Sequence, residues 1–398
     1  MSNFLANIIY HPDFPSRARR AAKALIVGVI VLIAVAMLVF DHEPDMFSVV
    51  DRAVERAGDA QHLRVTGYVQ TSTLIELIDI MLTKRGGYLS NDIGPPGVLM
   101  DNVPNWEFGV LVQIRDLISV FRNDYSRSQS QSSENPFLIE ADNRIRIDSE
   151  KWMFPAAESE YRSAASALTK YRDGLSLTNS SETQFFARAD NLAAWLAIVE
   201  KRLGDLSQRL SASVGQVRVN TDLAGDADAE QSTNKPAVLV VKTPRLQVDD
   251  VFYEARGGTW ALVHLLRAVE HDFSSVLEKK NALVSLRQII RELEGCQDPI
   301  WSPIILNGKG CESFTCHGVV YFTGERRGYR FEEPARARLA RGTGEPRKRV
   351  TALATLFAGA AHAGHRGVIR LGACARPCRI CAHRTRDEAL RSDPAPRR

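Results

Sequence analysis

ALIVGVIVLIAVAMLVF, residues 24–40, carries no charge and no strongly polar group. Extended by Ala21 and Ala22, with Lys23 reaching back toward headgroups, it supplies about 20 residues. At about 1.5 Å rise each, these cover the roughly 30 Å hydrocarbon core of a bilayer. A cleaved signal peptide has an apolar run of about 7–15 residues ending in a small-residue cleavage site. Here Ala34-Val35-Ala36 lies inside the run and Asp41-His42-Glu43-Pro44 follows it, so the reading is a retained anchor. Arg17, Arg19, Arg20 and Lys23 precede the span, whereas Asp41, Glu43 and Asp45 follow it. Basic flanks mark the cytoplasmic side. Residues 1–20 are therefore expected to be cytoplasmic, 21–40 to form the transmembrane anchor, and the rest to lie outside.

Beyond the anchor, apolar residues recur at helical spacing rather than in alternation. Leu74, Leu77, Ile78, Met81 and Leu82 form one stripe, with Glu76 and Asp79 expected to turn away from it. Leu192, Leu196, Val199, Leu203, Leu206 and Leu210 repeat 4-3-4-3-4, the seam of a helix packed lengthwise on another. Leu262, Leu266, Val269, Phe273 and Val276 repeat 4-3-4-3, continued by Leu283, Leu286, Ile290 and Leu293. Such stripes predict core. Between them, SNDIGPPG (90–97) predicts a shaped loop, since its Gly and Pro residues break a helix. SRSQSQSSENP (126–136) predicts a polar linker or exposed crossover. TDLAGDADAEQSTN (221–234) predicts an acidic loop, followed by one short strand at 237–241. Asp249 and Asp250 are expected to cap the helix after them. The expected fold is mainly α: a single N-terminal transmembrane helix plus an extracytoplasmic helical bundle with long loops over residues 41–308.

The 398 residues, 44% hydrophobic and 25% charged, can bury a core and do not describe a disordered chain. A net charge of +4 would invite a nucleic-acid partner until it is divided at Gly308. Residues 309–398 hold 19 Lys and Arg, 17 of them Arg, against 8 Asp and Glu; residues 1–308 hold 32 basic against 39 acidic. The body is acidic and only the tail is basic. Cysteine breaks at nearly the same place. Cys296, Cys311, Cys316, Cys374, Cys378 and Cys381 are the full set, and the Cys-free stretch before them fits an oxidising compartment without a disulfide framework.

Several segments resemble the bacterial inner-membrane family known as domain of unknown function 2333: RGGYLSNDIGPPGVLMDNVPNWEFGVLVQIRDL (85–117), SRSQSQSSENP (126–136), ESEYRSAASAL (158–168), VDDVFYEARGGTWALVHLLRAVEHDF (248–273) and DPIWSPIILNG (298–308). The resemblance implies a Gram-negative inner-membrane protein with an N-terminal anchor. It carries no catalytic residue across.

The resemblance is expected to stop after Gly308. Back-translating residues 311–338, CESFTCHGVVYFTGERRGYRFEEPARAR, and reading one base later permits ANHSLVMASYISRANAAAIDSRNLLAQG at every position. In such a shift the middle base of each codon fixes the first base of the next reading, so an unbroken run of fits is a demanding condition. Residues 309–398 are accordingly expected to be an out-of-frame, disordered tail, with the Arg, Ala, Gly and Pro content that a GC-rich gene gives out of frame.

Candidate sites are few. Cys374, Cys378, Cys381 and His383 offer the ligand types of a structural zinc, but a zinc site needs a fold around it, and the frame reading denies the tail one. No metal and no cofactor is expected, and an Arg-rich tail outside the cytoplasm is not expected to meet nucleic acid. His264 and His271 lie seven apart on one helical face, which suits the polar lining of a groove better than a shared metal at i, i+4 spacing. The Trp-bearing loops expected at Asn105-Trp106-Glu107 and Pro299-Ile300-Trp301-Ser302-Pro303 could form binding edges, or plug the bundle's end. Glu158 and Glu160 could pair as acid and base. No phosphate loop, dinucleotide fingerprint, GxSxG elbow or HExxH occurs. The expected role is a non-enzymatic envelope binding or scaffolding module, whose partners are the lipid bilayer and another envelope protein or wall component. The alternative is a wall-directed hydrolase or transferase using carboxylates.

Overall fold

The structure, a computed structural model, describes residues 16–128, 133–177, 183–212, 216–219, 238–298 and 305. It is mainly helical. Helix α1, Ser16–Phe40, contains the apolar run; its stretch Arg20–Phe40 is long and apolar enough to cross a membrane, and none of it is buried in the protein. The short helix α2, Val49–Ala57, starts at Ser48, whose hydroxyl accepts from the Asp51 amide, and stops at Gly58 in the left-handed conformation. There follow α3 (Tyr68–Thr83), α4 (Asn102–Val120), α5 (Pro136–Ile145), α6 (Ala157–Ser176) and α7 (Ala189–Ala212). The last three are α8 (Val248–Asp272), α9 (Ser274–Lys279) and α10 (Leu283–Glu294).

The stripes become core. Every residue of the 192–210 seam is buried, as are Leu74, Leu77, Ile78, Met81 and Leu82. The most extensive helix pair, however, is α4 with α8, and glycine makes it possible. A Cβ at Gly109 would lie 2.1 Å from the Glu254 carbonyl oxygen, and one at Gly257 would lie 2.0 Å from that of Trp106. The two backbones touch where side chains are missing. Around this crossing Arg209 of α7 grips Glu254 with two 2.5 Å hydrogen bonds, and Arg202 reaches Asp116 of α4 at 2.6 Å.

Three local expectations change. Glu76 does not face solvent: α3 is covered on nearly all sides, and Arg56 of α2 caps Glu76 and Asp79 at 2.5 Å each, supplying the charge that lets this face be covered. Asp249 and Asp250 sit inside the first turn of α8 rather than at its cap, where their charge still complements the helix dipole. The short strand is not alone. Val238–Val241 pairs antiparallel with Gln216–Val219, matching Val238 with Val219 and Val241 with Gln216.

Candidate functional site

Residues 41–48 leave α1 and fasten at once to α8. Glu43 receives Arg256 Nε on both carboxylate oxygens, at 2.8 and 2.5 Å. The remaining guanidinium nitrogens of Arg256 donate to the carbonyls of Cys296, Gln297 and Asp298 at 3.0–3.1 Å. One buried arginine thus holds the entry to the body and the turn that follows α10. Burial pushes the Glu43 carboxyl up, and Arg256 pulls against that. Four residues on, the Phe47 amide donates to His264 Nε2 at 3.1 Å, and the Phe47 ring stacks on the imidazole with centroids 3.9 Å apart. His264 Nδ1 lies 2.8 Å from the Trp260 carbonyl, so the ring is neutral with its proton on Nδ1. Burial lowers its pKa to about 4.

The segment between α3 and α4 is built around a second buried charge. Lys84 and Glu107 pair at 2.6 Å with side chains 2% and 0% exposed. Glu107 also accepts from the amides of Leu89 and Ser90, at 2.9 Å each, and from the Ser90 hydroxyl. Lys84 donates in turn to the Gly87 carbonyl at 2.6 Å. Gly86 and Gly87 make this wrapping possible, since both take positive φ (86° and 75°) that side chains resist. Burial raises the Glu107 carboxyl, opposed by Lys84, the Ser90 hydroxyl and the Leu89 amide. Further along, Tyr88 Oη donates to the Ser149 carbonyl, and Asn91 Nδ2 to the Lys151 carbonyl and to Glu158. The loops at 84–101 and 149–156 are therefore one braced unit.

Both stems of the first loop abut the end of α1. The Phe40 ring lies against Gly86, where an added Cβ would come within 2.8 Å of it. The Asn102 side chain lies beside Asp41, where it opposes the upward push that burial gives the Asp41 carboxyl.

The sequence-predicted residues fall elsewhere. Trp106 lies on α4, not on a loop, and is 1% exposed, packed on Trp260 with ring centroids 5.1 Å apart. That leaves it no face for a partner, and an aromatic core filler is what the geometry describes. His264 is equally buried and lines no groove. His271 pairs with Asp272 at 3.2 Å, which raises its pKa, so the two histidines serve separate partners. Glu158 binds Asn91 and Glu160 binds Arg144 at 2.8 Å. Trp301 and the Cys374–Cys381–His383 set lie outside the described residues. Among the described residues no group of three His, Cys, Asp or Glu is placed to hold a metal. Lys84, Glu107 and Arg256 went unnoticed in the sequence, and Glu43 was read only as an acidic flank of the apolar run. The available hint was ionisable residues inside otherwise apolar or Gly-rich stretches.

The chain matches, over residues 16–323, the family described as uncharacterized protein conserved in bacteria, DUF2333. It belongs to DUF2333. The match runs past Gly308, where the resemblance was expected to stop, and takes in residues 309–323 of the basic tail. It also covers α1, the Arg256 junction and both braced loops of this DUF2333 chain. No curated protein and no solved structure matches the chain.

Proposed function

We propose that this chain is a single-pass inner-membrane protein with a cytoplasmic N-terminus, whose extracytoplasmic body is a non-enzymatic binding or scaffolding module held at a fixed attitude to the bilayer. The observation that carries this is the docked junction. A body meant to swing on its anchor would need a free, polar linker, whereas residues 41–48 are committed to Arg256 and His264 of α8. A rigid mount suits a protein that presents a surface to an envelope protein or wall component. The carboxylate-enzyme reading is supported less well, because Glu158 and Glu160 have separate partners and stand two apart on a helix, where side chains do not face each other.

Spin labels carried by non-natural residues at positions 27 and 284, in the full chain in vesicles, test the mount. A narrow distance distribution is expected, and a broad one would refute it. An alkaline phosphatase fused after Asp45 should be active, since that enzyme works only outside the cytoplasm; an inactive fusion would reverse the orientation.

A further inference from the structure

We infer that the braced loops form a second membrane contact, lodging Ile93, Val98, Leu99, Trp152, Met153 and Phe154 in the interfacial layer of the bilayer that the anchor crosses. This rests on the reading of α1 as a span and of the body as rigidly mounted on it. Among the described residues, twelve large hydrophobic side chains outside the anchor are exposed, and these six are half of them. Phe154 is 88% exposed, the joint highest, and it sits in the left-handed backbone region at φ 45°. A soluble surface scatters exposed apolar residues singly; concentration on two adjoining loops marks an interaction site.

The occupant follows from where the loops are tied. The stems at Gly86 and Asn102 rest on Phe40 and Asp41, the last residue of the anchor and the first beyond it. The second loop is strapped to the first through Tyr88 and Asn91. A protein partner would have to enter between this patch and the bilayer, whereas lipid is already beside it. The chemistry is that of an interfacial belt: Trp152 pairs an apolar body with an N–H donor, and Lys151 and the exposed Arg85 flank the patch as cations for headgroup phosphates. The buried Lys84–Glu107 pair keeps the first loop in shape, so its apolar residues have no inward alternative.

The test uses the full chain in phospholipid vesicles, with the fluorescence of Trp152 taken as the difference between the chain and its Trp152→Phe variant. Trp152 is about half exposed, so this change should leave the fold intact. Lipids brominated near the headgroup end of their chains should quench the Trp152 component at least twofold, while aqueous iodide leaves it nearly unchanged. Phe154→Asp should reduce the lipid quenching without shifting thermal unfolding. Quenching by iodide alone would overturn the contact, and so would shielding from both quenchers, which would mean that a second copy covers the patch. A narrow 27-to-284 distance with Trp152 in water would sink the loop contact alone; a broad distribution would sink the rigid mount beneath it.

Discussion

Arg256 and Glu43 stand 213 positions apart in the chain, yet Arg256 Nε lies 2.5 Å from a Glu43 carboxylate oxygen. The same guanidinium closes on three successive carbonyls at 296–298, so one side chain joins the junction after α1 to the turn that follows α10. Arg256→Leu is expected to cost about 3–5 kcal/mol, because it strands a largely buried carboxylate and three carbonyls. Glu43→Gln keeps a hydrogen-bond acceptor and should cost less, about 1–2 kcal/mol. Thermal unfolding of the detergent-solubilised chain gives both values, and an Arg256→Leu loss below that of Glu43→Gln would deny Arg256 its central place.

His264 makes the junction sensitive to acid. Its folded pKa of about 4 lies below the ordinary 6.5, so its contribution is complete above pH 6.5 and is lost as pH falls toward 4. The full span is worth about 3 kcal/mol. Glu43, Glu107 and Asp272, whose carboxyls burial pushes up, act in the opposite direction. The comparison of melting temperatures between the chain and His264→Gln from pH 7 to 4.5 isolates the imidazole. The gap should narrow as pH falls, and a constant gap would show that the ring is not neutral in the fold.

The glycine crossing predicts opposite outcomes for one substitution at two places. Gly257→Ala must push the Trp106 carbonyl aside and should cost about 1–3 kcal/mol, despite alanine's better helix propensity of about 1 kcal/mol. Gly295→Ala meets nothing within 4 Å and should be neutral or stabilising by about 0.4–1 kcal/mol. Urea unfolding midpoints decide it; equal midpoints would mean that α4 and α8 are not in backbone contact.

The reading frame of residues 309–398 is settled at the gene. Because the family match continues to 323, resequencing should cover codons 305 to 323. The match in the present frame weighs against a shift before 323; a one-base gain or loss there, with expression and thermal stability raised on restoring the other frame, would bear out the frame reading of 311–338 against it. An unaltered frame, together with protease protection around Cys374, would restore the zinc reading of that segment.

How much of this was legible depends on what carries each contact. The 192–210 seam could be read because leucines at 4-3 spacing announce a buried face on their own. The α4–α8 crossing could not, because glycines contribute closeness rather than hydrophobicity and leave no mark in a periodic pattern. Its one sequence trace is the pair Gly257-Gly258 inside an apolar helix, where each glycine costs about 1 kcal/mol against alanine. Lys84 with Glu107, and Glu43 with Arg256, are pairings across the fold; each partner alone looks like an ordinary surface charge. Trp106 misled for a related reason. Its Pro- and Asn-rich surroundings read as a loop, although Pro104 falls in the first turn of α4, where its missing amide costs nothing.

On the proposed reading of α1 as an anchor, the docked stretch from Asp41 to Ser48 also removes the swivel that usually separates an anchor from its cargo. A membrane helix that outreaches the local hydrocarbon thickness ordinarily leans over. Here the lean cannot be absorbed at the exit, because Glu43 and Phe47 are clamped to α8 within a few residues of Phe40. If α1 crosses the bilayer as proposed, the whole body must tip with it, so the thickness of the surrounding lipid would be translated into the angle at which the outer face of the protein is offered to the envelope.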